Sequence, residues 1–212
     1  MAKLIYITNT SLDGYVEDQA GAFGWINPDQ VHAFITELIR PIGTYLYGRR
    51  LYQTMAYWES PVEGSPPEHR DFAQVWQKAE KIVFSRTLTT ASTRNTRVER
   101  DFDAEAIREL KRASAHDISI GGTELAAIAL EADLVDECHL FLNPVIVGGG
   151  KPAFRALRQN LELLETAGSA PGSFTCAIAS SADEPAPTWK ALRAEHEGVT
   201  RRMEELLDRS LR

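Results

Sequence analysis

Residues 117–125 read DISIGGTEL, and this stretch decides the expected fold. Asp117 to Ile120 has the apolar content of a short buried strand, which breaks at Gly121-Gly122. A helical segment follows from Glu124 to Glu131. A strand that leads through a glycine turn into a helix is the repeating unit of parallel α/β sheets. We therefore looked for the same succession along the rest of the chain.

Strands and helices alternate along most of the sequence. The segments predicted as strands are Lys3–Thr10, Thr44–Tyr47, Lys81–Ser85, Glu137–Asn143 and Phe174–Ala179. The further segments predicted as helices are Pro28–Arg40, Arg70–Ala79 and Phe102–Ser114, with a surface loop over Ser60–Glu68. This order predicts an α/β fold with a mixed, mostly parallel sheet and helices on both faces, in three αβα layers. Ligands of such sheets bind at the carboxyl ends of the strands.

The C-terminal segment differs in composition from the rest of the chain. We expect one domain over residues 1–181, a linker over 182–187 and a helical extension over 188–212. The apolar stripe of the extension consists of Trp189, Leu192, His196, Val199, Met203 and Leu206, spaced as on one helix face. This helix either packs on its own domain or pairs with a second subunit. We expect a homodimer, with the helix as a candidate contact.

Composition excludes several classes of function. The chain has 212 residues, 43% of them hydrophobic, and a net charge of −7, which argues against nucleic acid as a partner. No apolar run reaches membrane-spanning length, and the N-terminus lacks a secretory signal, so we expect a cytoplasmic protein without a membrane partner. Cys138 and Cys176 form no disulfide framework, and the five histidines lack metal-ligand spacing. We therefore predict no metal site.

Three predicted strand ends carry groups that suit phosphates. Gly48-Arg49-Arg50 offers two guanidinium groups, and Ser85-Arg86-Thr87 places hydroxyls beside another. At residues 120–125, paired glycines let the backbone approach a pyrophosphate, and the following helix N-terminus favours negative charge. Each feature alone also has an ordinary structural explanation, such as a solvated arginine or a turn. Together they predict a dinucleotide site.

The order of these motifs resembles the riboflavin-biosynthesis reductase domain and its relatives in the dihydrofolate reductase superfamily. The resemblance covers about residues 3–180. It is carried by residues 11–15 (SLDGY), 47–50 (YGRR), 82–88 (IVFSRTL), 120–122 (IGG), 134–137 (LVDE) and 143–150 (NPVIVGGG).

This resemblance implies a dihydrofolate-reductase-like fold with NADPH lying across the strand ends. The residues that it assigns to the cofactor are Asn9, Tyr15, Gly48, Arg49, Arg50, Ser85, Arg86, Thr87, Ile120, Gly121, Gly122, Thr123, Glu124 and Leu125. The cleft would also be bordered by Trp25, Gly148 and Gly149, as substrate residues. Asp13 and Asp29 are the candidate proton donors, although a turn residue before Gly14 and a helix N-terminal acid are the alternatives for them.

Two departures affect the expected substrate. Leu51 stands where relatives often have threonine, and the Asp-Asn-Pro and Leu-Thr-x-Arg segment that contacts the substrate phosphate is missing. We expect an NADPH-dependent reductase of a small heterocycle, closest to 5-amino-6-(5-phosphoribosylamino)uracil reductase. The alternatives are a reductase of dihydrofolate or another pterin-like compound, and a nucleotide-binding module without catalytic activity.

Overall fold

Eight strands form one mixed sheet, in the order β5-β4-β3-β6-β1-β7-β10-β9. A computed structural model describes residues 1–25, 28–60, 64–155, 159–170 and 173–180. The strands from β5 to β7 in this order all run parallel, whereas β10 is antiparallel to β7 and to β9. The mixed, mostly parallel sheet predicted from the sequence is therefore confirmed.

The helices and strands alternate in the expected way. The strands of the large sheet are β1 (Leu4–Ser11), β3 (Ile42–Gly48), β4 (Glu80–Phe84), β5 (Thr96–Glu99), β6 (Asp117–Gly121), β7 (Glu137–Asn143), β9 (Leu161–Ala170) and β10 (Ser173–Ser180). A separate two-stranded ribbon joins β2 (Tyr15–Glu17) to β8 (Lys151–Pro152). The helices are α1 (Pro28–Ile39), α2 (Arg49–Met55), α3 (Pro67–Lys78), α4 (Ala104–Ala113) and α5 (Thr123–Glu131), with a 3-10 helix at Ala56–Glu59.

Each face of the sheet has its own apolar core. On one face, Leu46 and Ile118 pack with Ile107 of α4 and Ala126 of α5. The opposite face joins strands β1, β3 and β4 to α1, α2 and α3, and its residues include Ile5, Ile39, Tyr45, Tyr47, Tyr52, Phe72, Trp76 and Val83. Alternating strand residues supply the two cores because successive side chains of a strand point to opposite faces. The result is the three-layer arrangement with helices on both faces.

Several boundaries differ from the sequence-based expectation. Helix α3 begins at Pro67, so Pro67 and Glu68 belong to a helix and not to the predicted surface loop. Proline suits the first helical turn because its missing N–H has no intrahelical acceptor there. The predicted linker at 182–187 and the helical extension at 188–212 lie outside the described residues. Of the helices that are described, none combines the length and apolar character needed to cross a bilayer.

A glycine-rich loop packs against the end of β2 and the residues that follow it. Gly148, Gly149 and Gly150 all have positive φ, at 74°, 154° and 137°. A Cβ atom on Gly150 would lie only 2.0 Å from the carbonyl oxygen of Glu17, whereas one on Gly148 would meet nothing within 4 Å. Glycine is thus required at position 150 by a close backbone approach as well as by its φ angle.

We expect Gly150→Ala to destabilise the protein far more than Gly148→Ala. Gly148→Ala should lower the free energy of unfolding only by the cost of placing alanine in a left-handed backbone conformation, roughly 1 kcal/mol. The Gly150 variant adds steric overlap with backbone, for a total of about 3 kcal/mol or more. Urea unfolding of both variants measures the difference. Equal free energies of unfolding would contradict the packing described for Gly150.

Candidate functional site

A cleft of about 950 Å³ opens along the carboxyl ends of the central strands. Its lining comes from the ends of β1, β3, β4 and β6, from α1, α2 and α3, and from the first turn of α5. We call it the strand-end cleft. Parallel strands that lie side by side end at the same edge of a sheet, so the topology itself gathers these residues.

Most of the residues that the sequence assigns to a cofactor line this cleft. They are Asn9, Gly48, Arg49, Arg50, Ser85, Arg86, Thr87, Gly121, Gly122, Thr123, Glu124 and Leu125. Two others lie elsewhere. Ile120 is fully buried in the core on the α4–α5 face, and Tyr15 lies in the β2 ribbon beside Val16 and Glu17, which do line the cleft.

The turn between β6 and α5 presents free backbone donors. Gly122 is the N-cap of α5, with a φ of 90° and no side-chain cap hydrogen bond. The first N–H groups of a helix lack intrahelical acceptors and carry partial positive charge. Gly121 is also constrained, because a Cβ there would lie 2.5 Å from Cδ2 of Leu51. Leu51 thus packs against the glycine turn, and it offers no hydroxyl to a ligand as a threonine at this position would.

A guanidinium and two hydroxyls stand at the end of β4. Ser85 Oγ accepts hydrogen bonds from the backbone N–H groups of Thr87 and Leu88, at 3.2 and 2.9 Å, which fixes the turn. Arg86 is exposed and forms an ion pair with Asp101, 2.5 Å from its Nη2 to Oδ1. Asp101 holds the guanidinium in place but leaves some of its N–H groups unused, since arginine carries five donors.

The cleft continues under α1, α2 and α3 as a mainly apolar cavity. We call this part the inner pocket; its residues are Ile7, Ile35, Ile39, Tyr45, Tyr47, Met55, Trp58 and Phe72. Two polar atoms in the lining, Asn9 Oδ1 and the Tyr45 hydroxyl oxygen, are buried without a hydrogen-bond partner among the described residues. Buried polar groups are normally paired, so these two atoms are candidates for ligand contacts.

The predicted substrate residues Trp25, Gly148 and Gly149 are not part of the described lining of the cleft. Gly148 and Gly149 pack instead on the loop between Asp13 and Gln19, where the Gly148 N–H donates to Asp13 Oδ2. Trp25 also lies outside the lining, and its Nε1 is buried without a partner among the described residues. Asp29 lies in the first turn of α1, but its side chain is outside the description.

Asp13 has the contacts of a loop anchor. Its carboxylate accepts hydrogen bonds from the backbone N–H groups of Val147 and Gly148, at 3.2 and 2.8 Å. Together with the Ser11 hydroxyl, the largest contributor, these donors lower the pKa of Asp13 below its ordinary value. A carboxyl group with a lowered pKa is ionised at neutral pH and is a poor proton donor. The geometry therefore favours an anchoring role.

Several cleft residues were not predicted from the sequence. Arg100 and Asp101 follow β5, a strand that the sequence pattern does not predict, and Lys151 lies in β8 with its Nζ 3.3 Å from Glu124 Oε1. Residues 96–99 alternate in burial, and the charged pair Arg100-Asp101 that follows them marks the end of β5. The inner-pocket residues lie within helices and strands, where their spacing resembles that of core residues.

The fold is a three-layer α/β arrangement with a cleft at the carboxyl ends of its parallel strands. Residues 2–172 match the model of the RibD C-terminal domain family, and the chain therefore belongs to that family. An uncharacterized protein of Bacillus subtilis, YyaP, is 29% identical over 162 residues, which is 76% of this chain and 85% of YyaP.

Solved structures share the fold at low sequence identity. A candidate riboflavin biosynthesis protein from Shewanella sp. PV-4 superposes with a TM-score of 0.67 at 20% identity, covering 85% of this chain and 99% of that one. A pyrimidine reductase-like protein from Corynebacterium diphtheriae gives 0.62 at 17% identity, covering 86% and 93%. The deaminase/5-amino-6-(5-phosphoribosylamino)uracil reductase of Thermotoga maritima gives 0.62 at 15% identity, and this chain spans 57% of its length while 85% of this chain is covered.

We expect Asp13→Asn to loosen the loop at 147–148, because an amide accepts these hydrogen bonds more weakly than a carboxylate. Amide hydrogen exchange of Val147 and Gly148 should accelerate in the variant at neutral pH. Since the native pKa is lowered, the stabilisation by Asp13 is complete above about pH 4 and is lost as the pH falls through the native value. An unchanged exchange rate at pH 7 would contradict the anchoring role.

Proposed function

We propose that this protein is an NADPH-dependent oxidoreductase that reduces a small heterocyclic compound. The observation that carries the proposal is that three strand ends with groups suited to bind phosphate meet in one cleft. The apolar inner pocket is part of the same cleft. Membership of the RibD C-terminal domain family supports the reductase class. The cofactor would lie across the strand ends, and the acceptor would occupy the inner pocket.

The charges of the cleft suit a nucleotide although the chain is acidic overall, with a net charge of −7. The cations of the described lining are Arg49, Arg50, Arg86, Arg100 and Lys151. They follow the ends of β3, β4 and β5 or lie in β8 beside the first turn of α5. Local clusters of this kind attract a polyanionic ligand even though the negative net charge of the whole molecule repels it.

The proposed contacts divide the cofactor among the strand ends. The Gly121-Gly122 turn and the N-terminus of α5 would hold the pyrophosphate, because backbone donors there have no side-chain cap. Ser85 and Arg86 would hold the 2′-phosphate of the adenosine, the group that distinguishes NADPH from NADH. Asn9, at the end of β1, would lie beside the nicotinamide.

The chemistry divides between the cofactor and the protein. When bound, NADPH would supply the hydride for reduction of an electron-poor carbon of a C=N or C=O bond, and a proton from the protein or solvent would complete the product. The chain would orient the acceptor against the apolar wall, exclude water and offer the Tyr45 hydroxyl and the Asn9 amide as polar contacts. Asp29 remains our proposed proton donor, because it lies at the start of the helix that covers the pocket. The homodimer and the cytoplasmic location remain predictions.

Fluorescence titration of the protein with NADPH and with NADH tests the proposed cofactor. We expect tight binding of NADPH, weakened about tenfold or more in Arg49→Ala and in Arg86→Ala, because each variant loses a charge-assisted hydrogen bond. Arg86→Ala should weaken the binding of NADPH more than the binding of NADH. Arg112→Ala is the matched control, since Arg112 is an exposed arginine on α4 outside the cleft.

A second variant tests the partner of Arg86. Asp101→Asn removes a negative charge next to the proposed 2′-phosphate site and should tighten NADPH without tightening NADH. Binding of neither nucleotide, or equal effects of Arg86→Ala and Arg112→Ala, would contradict the proposed function. Binding without NADPH oxidation by any pyrimidine, pteridine or quinone acceptor would favour a non-catalytic nucleotide-binding module.

A further inference from the structure

The described wall of the inner pocket carries no positive charge. Its residues are aliphatic or aromatic, and the side chains of α1 at 28–33 that lie outside the description include no lysine or arginine. A phosphate buried among such side chains would lose its hydration without gaining a cation or enough donors. The pocket therefore disfavours a phosphorylated acceptor.

The five cations in the described lining of the cleft are not among the residues of the inner pocket. Arg49 and Arg50 follow β3, Arg86 follows β4, and Arg100 follows β5. Lys151 is already paired with Glu124 in the first turn of α5. On the proposed function these groups serve the phosphates of the cofactor. An acceptor with its own phosphate would have to compete for them.

The Tyr45 hydroxyl marks the deep end of the pocket. Tyr45 is only 3% exposed, and its hydroxyl has no hydrogen-bond partner among the described residues. Its ring stacks on Tyr47 with a centroid distance of 5.5 Å and an interplanar angle of 9°, and the Tyr47 hydroxyl accepts a hydrogen bond from Trp76 Nε1 at 3.2 Å. The ring of Tyr45 is thus held in place by its neighbours, and no group among the described residues occupies its hydroxyl.

Burial keeps Tyr45 a hydrogen-bond donor at neutral pH. Removal of its hydroxyl from water raises the pKa of Tyr45 above its ordinary value, so the group stays protonated. A carbonyl or ring nitrogen of a ligand is the partner that such a donor requires. An unpaired buried hydroxyl is costly, and a ligand that accepts its proton would remove that cost.

The strand register gives the separation of Tyr45 and Asn9 along the strand direction. Tyr45 pairs with Ser119 of β6, and Ser119 pairs with Ile5 of β1, so Tyr45 is level with Ile5. Asn9 lies four residues further along β1, which corresponds to about 13 Å along the strand direction. The two residues whose polar atoms lack a partner among the described residues are therefore about 13 Å apart in register along the sheet, so a ligand that contacted both would be elongated.

We propose that the acceptor is an uncharged, elongated aromatic heterocycle without a phosphate group, bound in the inner pocket with the Tyr45 hydroxyl as its deepest polar contact. This inference rests on the proposed function, because it takes the strand-end cations to be engaged by the cofactor. It departs from the phosphoribosyl substrate named for the Thermotoga maritima relative. Tyr45 is then a specificity-determining residue.

Three probes with one shared ring system test the proposal: lumichrome, which is uncharged, riboflavin, which adds a ribityl chain, and FMN, which adds a phosphate. Their affinities are measured by fluorescence on the full chain, with and without saturating NADP⁺. We expect lumichrome to bind at least 100-fold more tightly than FMN when NADP⁺ is present. Tyr45→Phe should weaken the binding of lumichrome about tenfold and leave the affinity for NADPH unchanged. Tyr57 is an exposed tyrosine outside the described lining, and Tyr57→Phe should change neither affinity.

The outcomes separate the two proposals. FMN binding as tight as lumichrome binding, or a lumichrome affinity unaffected by Tyr45→Phe, would overturn the inference while NADPH binding still supports the proposed function. A protein that binds lumichrome but not NADPH would overturn the proposed function, and with it the role of the pocket as an acceptor site.

Discussion

Parallel pairing of four adjacent strands is the constraint on which the site depends. Strands β4, β3, β6 and β1 lie side by side and run in one direction, so their carboxyl ends meet at one edge of the sheet. That edge brings Ser85, Gly48, Gly121 and Asn9 to one cleft although they are far apart in sequence. Any break in the pairing of β6, in the centre, would separate the phosphate-suited turns from one another.

The strands that were predicted are those whose burial leaves a clear pattern. Strands β1, β3, β4, β6, β7 and β10 each contain a run of apolar or β-branched residues, and the sequence identifies each of them. Strand β5 is half-exposed and β2 and β8 have only three and two residues, so they carry too little periodic signal. Strand β9 was missed because the edge residues Leu161, Leu163 and Leu164 are all exposed and do not alternate.

The same distinction explains which parts of the site were predictable. Residues at strand ends, such as Arg49 and Ser85, are of types that commonly bind phosphate, and the order of the motifs in the sequence pointed to them. Tyr45 lies within a strand and has the pattern of a core residue, and only the structure reveals that its hydroxyl has no hydrogen-bond partner among the described residues. Gly149 and Gly150 mark a close approach, but the sequence cannot distinguish a ligand from the neighbouring loop that contains Glu17 and Gln19.

The most direct test of this account is a crystal structure of the protein with bound NADP⁺. We expect the pyrophosphate at the Gly121-Gly122 turn, the 2′-phosphate within hydrogen-bonding distance of Ser85 and Arg86, and the nicotinamide beside Asn9 at the entrance of the inner pocket. A nucleotide that lies with its phosphates away from the strand ends, or with its adenine in the inner pocket, would contradict the account.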